Sequence, residues 1–428
     1  MCLRYLILLL FIVMQAGCSS ESATNDTNTY LHNAQGAAEV ALSRAQAANA
    51  SGTFGVGGAI IENSSGRMIF ALSNHVLETL KPAVQITPGE AYTYDPTAHG
   101  ERQLVYWYYE NRVAMNLPEP SQLTVVTSLD PCAMCTGTLL SAGFNVGVVA
   151  IDDWAGINYT TQFNFPGLPE WLKQMIQARF GYYAVDGTRI YVGGDSVAFR
   201  SNTVTQATHQ DSLSVFLGNV DKIRVNSQGS GVDPKYLTDP AKLPDVSAVK
   251  TAYKAGFSGA FSHKLANFRA PDATLKGILT TLVNSTPRAK NAVAIIDPFG
   301  NLIMASADTF DVNPVATGFM NLVQGYSKIR FNLVNNPDTT TEARKSLTHP
   351  KYGTFVFLYA PSSNDLLTLK DLGAYGSTME GAIPQTTPSN FQYYYPPREG
   401  TMTELLALIA NMPPFYTKNV GIVPEQVQ

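Results

Sequence analysis

Charge is scarce in this sequence, and neither sign of charge dominates it. Charged residues make up 14% of the 428 residues, with 29 Lys and Arg against 33 Asp and Glu. Without a basic excess the chain has no field to attract a phosphate backbone, which argues against a nucleic-acid partner. Its 45% content of hydrophobic residues is typical of globular protein, and its length exceeds what one hydrophobic core usually serves. We therefore expect two domains.

Long apolar runs are also missing, with one short exception at the N-terminus. Arg4 precedes an apolar run over residues 6–14, and small residues follow up to Cys18. The run is too short to cross a bilayer, and its layout is that of a secretory signal over residues 1–18.

The end of this signal and the stretch after it predict how the chain is attached to a membrane. Residues 16–18 (AGC) resemble a bacterial lipobox, which implies lipidation of Cys18 and export to the cell envelope as a lipoprotein. Gln15 stands where that motif usually has leucine, so a plain cleaved signal and secretion remain the alternative. Residues 19–30 are polar and predict a tether, so we expect membrane contact only through the lipid anchor.

Cysteine is scarce, with four in the chain and two of them in the signal segment. The other two, Cys132 and Cys135, follow a β-branched run at residues 123–127 that predicts a buried strand. Pro131 suits the first position of a helix, so both thiols are expected on one face at its N-terminus, where the dipole favours thiolate. This is half of a tetrahedral zinc site. A thioredoxin-like redox pair and a disulfide are the alternatives.

Histidine is equally rare, with six residues, and one of them suggests a third ligand. His99 follows Asp95-Pro96, a predicted cap and first-turn proline, so we expect it in the first turn of a helix. One histidine and two cysteines leave the fourth position of a zinc ion open, which is typical of catalytic zinc. Glu101 is a carboxylate close to the metal that could carry protons without binding it.

The order of these motifs is that of a known family. H-x-E followed by P-C-x-x-C is the signature of zinc nucleobase deaminases, and DPTAHGE (95–101) and DPCAMC (130–135) contain it. Together with GGAIIENSSGRMIFALSN (57–74), they resemble the cytidine deaminase superfamily, in its branch of guanine, fungal-type cytosine and tRNA adenosine deaminases. Gly100 and Asp130 replace the usual alanine and glutamate of that branch, and neither is a ligand.

The resemblance implies an α/β fold, a three-layer α/β/α sandwich with a mixed sheet, whose two motif helices point their N-termini at the metal. It implies one zinc ion per chain, held by His99, Cys132 and Cys135, with Glu101 as the catalytic proton carrier. Asn74 stands where the family has its substrate-binding asparagine, whose amide can both donate to and accept from a base edge. An ordinary turn role is the alternative for Asn74.

Two aromatic residues after the next predicted strand are further candidates. Trp154 and Phe163 follow the strand GVVAID (147–152) and are placed to stack on a heterocycle. Packing against the core is the alternative for both.

The second half contains segments similar to these motifs. NPVATGFMN (313–321) superimposes without a gap on DPTAHGERQ (95–103), with Thr317 and Phe319 in place of the histidine and the glutamate. The 20 residues from Thr354 align without a gap with those from Thr124, and Ser362 and Asp365 replace the two cysteines. Because the matches occur in the same order, we predict an internal repeat.

The repeat predicts the domain organisation. Residues 31–228 form a catalytic zinc deaminase domain, residues 229–245 a linker rich in Gly, Ser, Asp and Pro, and residues 246–428 a degenerate deaminase-like domain without zinc ligands. The two tandem copies are expected to pack as an internal pseudodimer. The alternative is an unrelated α+β domain in the second half.

The predicted function is hydrolytic deamination of a nucleobase or nucleoside by an exported zinc enzyme. Mild acidity and export both argue against a polynucleotide substrate. Two other classes remain open: a non-catalytic zinc-containing lipoprotein that binds a ligand, and a secreted deaminase toxin or effector that acts on nucleic acid.

Overall fold

A mixed β-sheet lies at the centre of each half of the chain. The computed structural model describes residues 29–229, 233–363, 365–379 and 387–428. The strands of the first half are β1 (Gly57–Glu62), β2 (Met68–Ser73), β3 (Leu77–Thr79), β4 (Ala91–Thr93), β5 (Leu123–Leu129), β6 (Asn145–Ala150), β7 (Phe180–Tyr182), β8 (Ala184–Val185), β9 (Val192–Gly193) and β10 (Thr203–Val204). Its helices are α1 (Ala34–Ala50), α2 (Gly100–Asn111), α3 (Ala133–Ala142), α4 (Glu170–Arg179), α5 (Gln206–Leu217) and α6 (Val220–Gly229).

The main sheet of the first half has the strand order β2-β1-β5-β6-β7-β9. Strand β1 pairs antiparallel with β2 and β5, whereas β5, β6 and β7 run parallel. A short hairpin suffices for the antiparallel pair, while the parallel pair of β5 and β6 needs the crossover that α3 supplies. The predicted α/β fold with a mixed sheet is therefore confirmed.

Helices cover both faces of this sheet. Successive residues of a strand point to opposite sides, and apolar side chains on both sides need a helix to pack against. Ile60 packs in the core that contains α2 and α3, whereas its neighbour Ile61 packs on the alanine-rich face of α1. The N-termini of α2 and α3 lie on the same side of the sheet, which brings the two sequence motifs together.

The second half has a similar but smaller mixed sheet. Its strands are β11 (Ala292–Ile296), β12 (Leu302–Ala307), β13 (Thr354–Tyr359), β14 (Phe391–Tyr395) and β15 (Pro424–Gln426), in the order β12-β11-β13-β14-β15. Its helices are α7 (Ala248–Gly256), α8 (Ala273–Ser285), α9 (Gly318–Val334), α10 (Thr340–Ser346), α11 (Leu366–Thr378) and α12 (Met402–Ala410), followed by a π-helical turn at Phe415–Val420.

The pairing directions match those of β2, β1, β5, β6 and β7 in the first sheet, which has one more strand, β9, antiparallel to β7. Strand β11 is antiparallel to β12 and β13, and β13, β14 and β15 are parallel. A register shift also falls at the corresponding place in the first strand of each sheet, between Ile60 and Ile61 and between Ile295 and Ile296.

Helices α3 and α11 join the two halves. Gly137 of α3 faces Leu369 and Lys370, and Gly373 of α11 faces Met134, so the helices run antiparallel. A Cβ atom on Gly373 would lie 2.6 Å from the Cα atom of Met134, so the close approach requires glycine. Side chains of α2, α3, α9 and α11 belong to one continuous core.

The ends of the predicted domains are only partly covered. The signal, Cys18 and the tether up to residue 28 lie outside the described residues, while Tyr30 forms an isolated antiparallel bridge with Arg67. Within the predicted linker are two 3-10 turns, Pro234–Tyr236 and Pro240–Lys242. The domain boundaries stay predictions. Over the described ranges, no helix is both long and apolar enough to cross a membrane.

Candidate metal centre

The loop that carries His99 ends at the N-terminus of α2. The expectation that His99 lies inside the first turn is wrong, because His99 is the extended N-cap residue and the helix begins at Gly100. The physical reason is a local turn: the Asp95 carboxylate accepts a hydrogen bond of 2.8 Å from the backbone N–H of Thr97. Asp95 therefore shapes the loop before the helix and does not cap it.

Asp95 is itself held by a buried polar network. Arg102 donates to its carboxylate at 2.7 Å, and from α9 of the second half Gln324 donates at 2.7 Å and Lys328 lies at 3.6 Å. Burial alone would raise the pKa of Asp95, but the charges of Arg102 and Lys328 and hydrogen bonds from Thr97 and Gln324 hold it well below its usual range. Residues of both halves thus fix the loop next to His99.

The two cysteines lie at the N-terminus of α3, as the motif predicts. Cys132 is the N-cap residue, and Cys135 lies in the first turn and is fully buried. Ligand atoms of His99, Cys132 and Cys135 all lie within 4.8 Å of one another, and Cys132 Sγ is 3.4 Å from His99 Nδ1. Among the described residues, no other group of at least three His, Cys, Asp or Glu is placed to hold a metal.

This set of donors fits zinc. Thiolate sulfur and imidazole nitrogen are ligands that zinc prefers, and three of them leave one tetrahedral position open. A hydrogen bond from the Cys135 thiol, together with the nearby His99, holds the pKa of Cys132 well below its usual range despite its burial. The prediction that His99, Cys132 and Cys135 are placed to bind zinc is therefore confirmed.

Glu101 lies beside these ligands. Its side chain is only 2% exposed, with Oε2 3.5 Å from Cys135 Sγ and Oε1 3.4 Å from the hydroxyl of Thr127. Burial raises the pKa of Glu101, and the negative charge of Cys132 raises it further. A carboxyl group that favours its protonated form more than usual is suited to both accept and return a proton.

Asn74 lies at the end of β2 and is buried. Its side-chain oxygen accepts hydrogen bonds from the Thr53 hydroxyl at 2.7 Å and from the backbone N–H of Val76 at 3.0 Å. The bond from Val76, two residues further on, fits the turn role that is the alternative for this residue, whereas the bond from Thr53 ties Asn74 to a distant segment. Binding of a substrate through its amide stays a prediction.

Trp154 and Phe163 lie in the loop after β6. The Phe163 ring makes edge contacts with Phe165 and Tyr182, at centroid distances of 5.1 and 5.6 Å. Trp154 is partly buried against the main core, and its backbone N–H donates to Asp152 at 2.9 Å. These contacts fit the packing alternative, and stacking on a heterocycle stays a prediction.

Asp130 stands out in the sequence only as a replacement for glutamate, yet it organises the metal-binding turn. It accepts hydrogen bonds from the hydroxyl of Tyr182 at 2.6 Å and from the backbone N–H of Asn158 at 2.8 Å. Burial raises its pKa well above the usual range. Asp130 thereby ties the loop after β6 to the Cys132 turn, which itself bridges to Gly156.

Two further residues near the metal ligands come from the second half. The Ser377 hydroxyl on α11 is 3.4 Å from His99 Nε2. Burial, and then the charge of Cys132 beside it, raise the pKa of the Tyr416 hydroxyl well above its usual range. No motif marks either residue, because each lies more than 270 positions from the ligand that it approaches.

Comparison with known proteins supports the family resemblance predicted for the first half. The sheet and the His-Cys-Cys cluster define a metal-binding α/β domain. Residues 31–151 match the family model of the cytidine and deoxycytidylate deaminase zinc-binding region, which confirms, for this part of the chain, the resemblance predicted from its motifs. No curated protein matches the chain.

Solved structures with some similarity include two deaminases. A structure from a study of A-to-I editing by tRNA:A34 deaminases is 19% identical, covers 29% of this chain and 81% of its own, and has a TM-score of 0.21. Guanine deaminase from Nitrosomonas europaea is 17% identical, covers 44% of this chain and 86% of its own, and has a TM-score of 0.27. At such TM-scores neither likeness bears on the activity of this chain.

Proposed function

We propose that the chain is a zinc-dependent hydrolase that deaminates a nucleobase or nucleoside. The observation that carries this proposal is the position of Glu101, a buried carboxyl group 3.5 Å from Cys135 Sγ that is not one of the three ligand residues. Such a group can reach a reactant at the open zinc position and exchange protons with it.

The reaction replaces an amino group on a ring carbon with an oxygen. Zinc, when bound, lowers the pKa of a coordinated water towards neutrality. Glu101 accepts a proton from the attacking water and delivers it to the neighbouring ring nitrogen. Glu101 then takes the remaining proton of the former water from the hydroxyl group now on the ring carbon and transfers it to the amino group. The C–N bond breaks, ammonia leaves, and the ring carbon keeps the oxygen as a carbonyl.

The direction of the Glu101 pKa supports this role. A carboxyl group with an ordinary pKa would hold the proton too weakly to return it near neutral pH, whereas burial raises the pKa of Glu101 towards the range of an efficient proton carrier. On the substrate side, we propose that the amide of Asn74 binds a base edge.

We further propose that the second half is a degenerate copy of the first. The matching strand order and pairing directions support this, as does the chemistry at the aligned positions. Thr317 is the N-cap of α9 as His99 is of α2, but hydroxyl and phenyl groups at Thr317 and Phe319 supply neither a zinc ligand nor a proton carrier. Elemental analysis should find one zinc per chain, and two would contradict this assignment.

We also propose where in the cell the protein is located. The N-terminal signal and the lipobox-like residues before Cys18 support export to the cell envelope with a lipid anchor. Metabolic labelling with a fatty acid should mark the wild-type chain and not Cys18→Ala. A wild-type chain without label would contradict the anchor and leave a secreted protein.

The decisive experiment measures ammonia release from guanine, adenine, cytosine and their nucleosides by the zinc-loaded chain. Glu101→Gln should retain zinc and lose activity by about 10²- to 10⁴-fold. Glu110→Gln, which changes an exposed carboxylate on the same helix, is the matched control and should be fully active. Absence of ammonia with all six compounds would contradict the proposal, and tight binding without product would indicate a binding protein.

A further inference from the structure

The metal site of the first half lies against helix α11 of the second half. Ser377, near the C-terminus of α11, is 6% exposed, and its Oγ is 3.4 Å from Nε2 of His99. The other ring nitrogen, Nδ1, faces Cys132 Sγ at 3.4 Å. The two nitrogens of His99 therefore face different halves of the chain.

The hydrogen bonds of Ser377 indicate which nitrogen carries the proton. Its hydroxyl also lies 3.1 Å from the carbonyl oxygen of Gly373 and donates to it. A hydroxyl has one proton to donate and lone pairs to accept, so the Ser377 oxygen is left to accept a hydrogen bond from His99 Nε2–H. Neutral imidazole with a proton on Nε2 has its lone pair on Nδ1, which faces the thiols.

We infer that Ser377 is a positioning residue for the metal site, which fixes His99 in the Nε2–H tautomer with Nδ1 directed at zinc. Partners of the outer nitrogen commonly fix the ring orientation and raise the basicity of a histidine ligand. The second half thus has a role in metal binding although it lacks zinc ligands. The inference rests on the zinc site of the proposed function but not on turnover or on the identity of the substrate.

The packing of α11 makes this contact rigid. Gly373, one turn before Ser377, lets α11 approach the backbone of α3, and Gly137 does the same from the other helix, where a Cβ would lie 2.9 Å from the backbone nitrogen of Lys370. A serine held at this depth by backbone packing has little freedom to move, so its hydroxyl can restrain the imidazole ring.

The test compares zinc affinity among variants of the full chain by competition with a chromogenic chelator. Ser377→Ala should weaken zinc binding by about 10- to 100-fold, while Ser377→Thr, which keeps a hydroxyl, should remain within a few-fold of wild type. Thr378→Val is the matched control, because Thr378 is also buried but its hydroxyl bonds only to the Ala374 carbonyl, at 2.8 Å, among its observed contacts.

A second readout reports on the ligand itself. Long-range ¹H–¹⁵N correlation spectra of histidine-labelled, zinc-saturated protein should show the Nε2–H form of His99 in wild type and a mixture of tautomers in Ser377→Ala. Unchanged affinity and tautomer in Ser377→Ala would overturn the inference, as would equal losses of affinity in Ser377→Ala and Ser377→Thr or in Thr378→Val. Because neither measurement uses a substrate, failure of the proposed deaminase activity would remain distinguishable.

Discussion

The contact between α3 and α11 provides the sharpest test of how the second half supports the metal site. Gly373 lies where the two helices approach most closely, and a Cβ added there would overlap the backbone nitrogen of Met134 and lie 2.6 Å from its Cα atom. Since these are backbone atoms, no side-chain rotation can relieve the overlap. Gly373→Ala must therefore push the helices apart.

The magnitude follows from two opposing effects. Replacing glycine by alanine inside a helix stabilises it by about 1 kcal/mol, whereas overpacking a tightly packed core costs about 1–3 kcal/mol. We expect the overlap to outweigh the helix propensity, with a net loss of up to about 2 kcal/mol in the free energy of unfolding. The matched control is Gly277→Ala in α8, where an added Cβ meets nothing within 4 Å. That variant should gain about 0.5–1 kcal/mol.

The assay is urea unfolding of wild type and both variants, followed by fluorescence, with zinc affinity measured in parallel. Cys132 and Cys135 lie at the N-terminal end of α3, so moving this helix should also weaken zinc binding in Gly373→Ala and not in Gly277→Ala. If Gly373→Ala is as stable as Gly277→Ala and binds zinc like wild type, the close approach of the two helices is not a constraint on this protein.

Three further predictions concern charge, redox state and domain coupling. Asp95→Asn removes a buried partner of Arg102 and should cost about 3 kcal/mol at pH 7. Because the folded pKa of Asp95 is lowered, its contribution to stability is present above the unfolded pKa of about 3.9 and fades below it. The difference in unfolding free energy between Asp95→Asn and wild type should therefore shrink by about 1 kcal/mol at pH 3. An equal difference at both pH values would argue against the ion pair. Chelation of the metal in air should close a Cys132–Cys135 disulfide and lower the thiol count of denatured protein, and a full thiol count would contradict this. Residues 31–228 alone should aggregate or dimerise through the exposed face of α3, which light scattering would detect, whereas a soluble, fully active monomer would show that the second half is dispensable.

Local sequence signals were sufficient where the structure depends on neighbouring residues. The β-branched run before Cys132 became β5, and the helix predicted after it became α3. The predicted place of Pro131 at the first position of that helix was wrong, because Cys132 is the N-cap residue and Ala133 the first helical residue. The motif spacing put both cysteines at the N-terminus of that helix. The predicted position of His99 in the helix was wrong by a small margin, because Asp95 closes a turn with Thr97 where a helix cap was expected. Such competition between two short-range hydrogen bonds is not visible in residue types alone.

The aromatic candidates and the supporting residues show where local signals fail. Phe163 has the aromatic side chain that stacking on a heterocycle requires, but its contacts with Phe165 and Tyr182 arise only when β7 is placed beside β6. Ser377 is an unremarkable serine in the sequence, and it matters because α11 packs antiparallel on α3.

The sequence by itself determined the chemistry of the metal site, since zinc ligation requires particular side chains and the helix starts that present them are encoded within a few residues of each ligand. Only the tertiary structure decided how that site is supported. The outer hydrogen bond of His99 and the partners of Asp95 on α9 come from residues more than 200 positions away, and they meet their targets only because two sheets bury their helices against each other in one core.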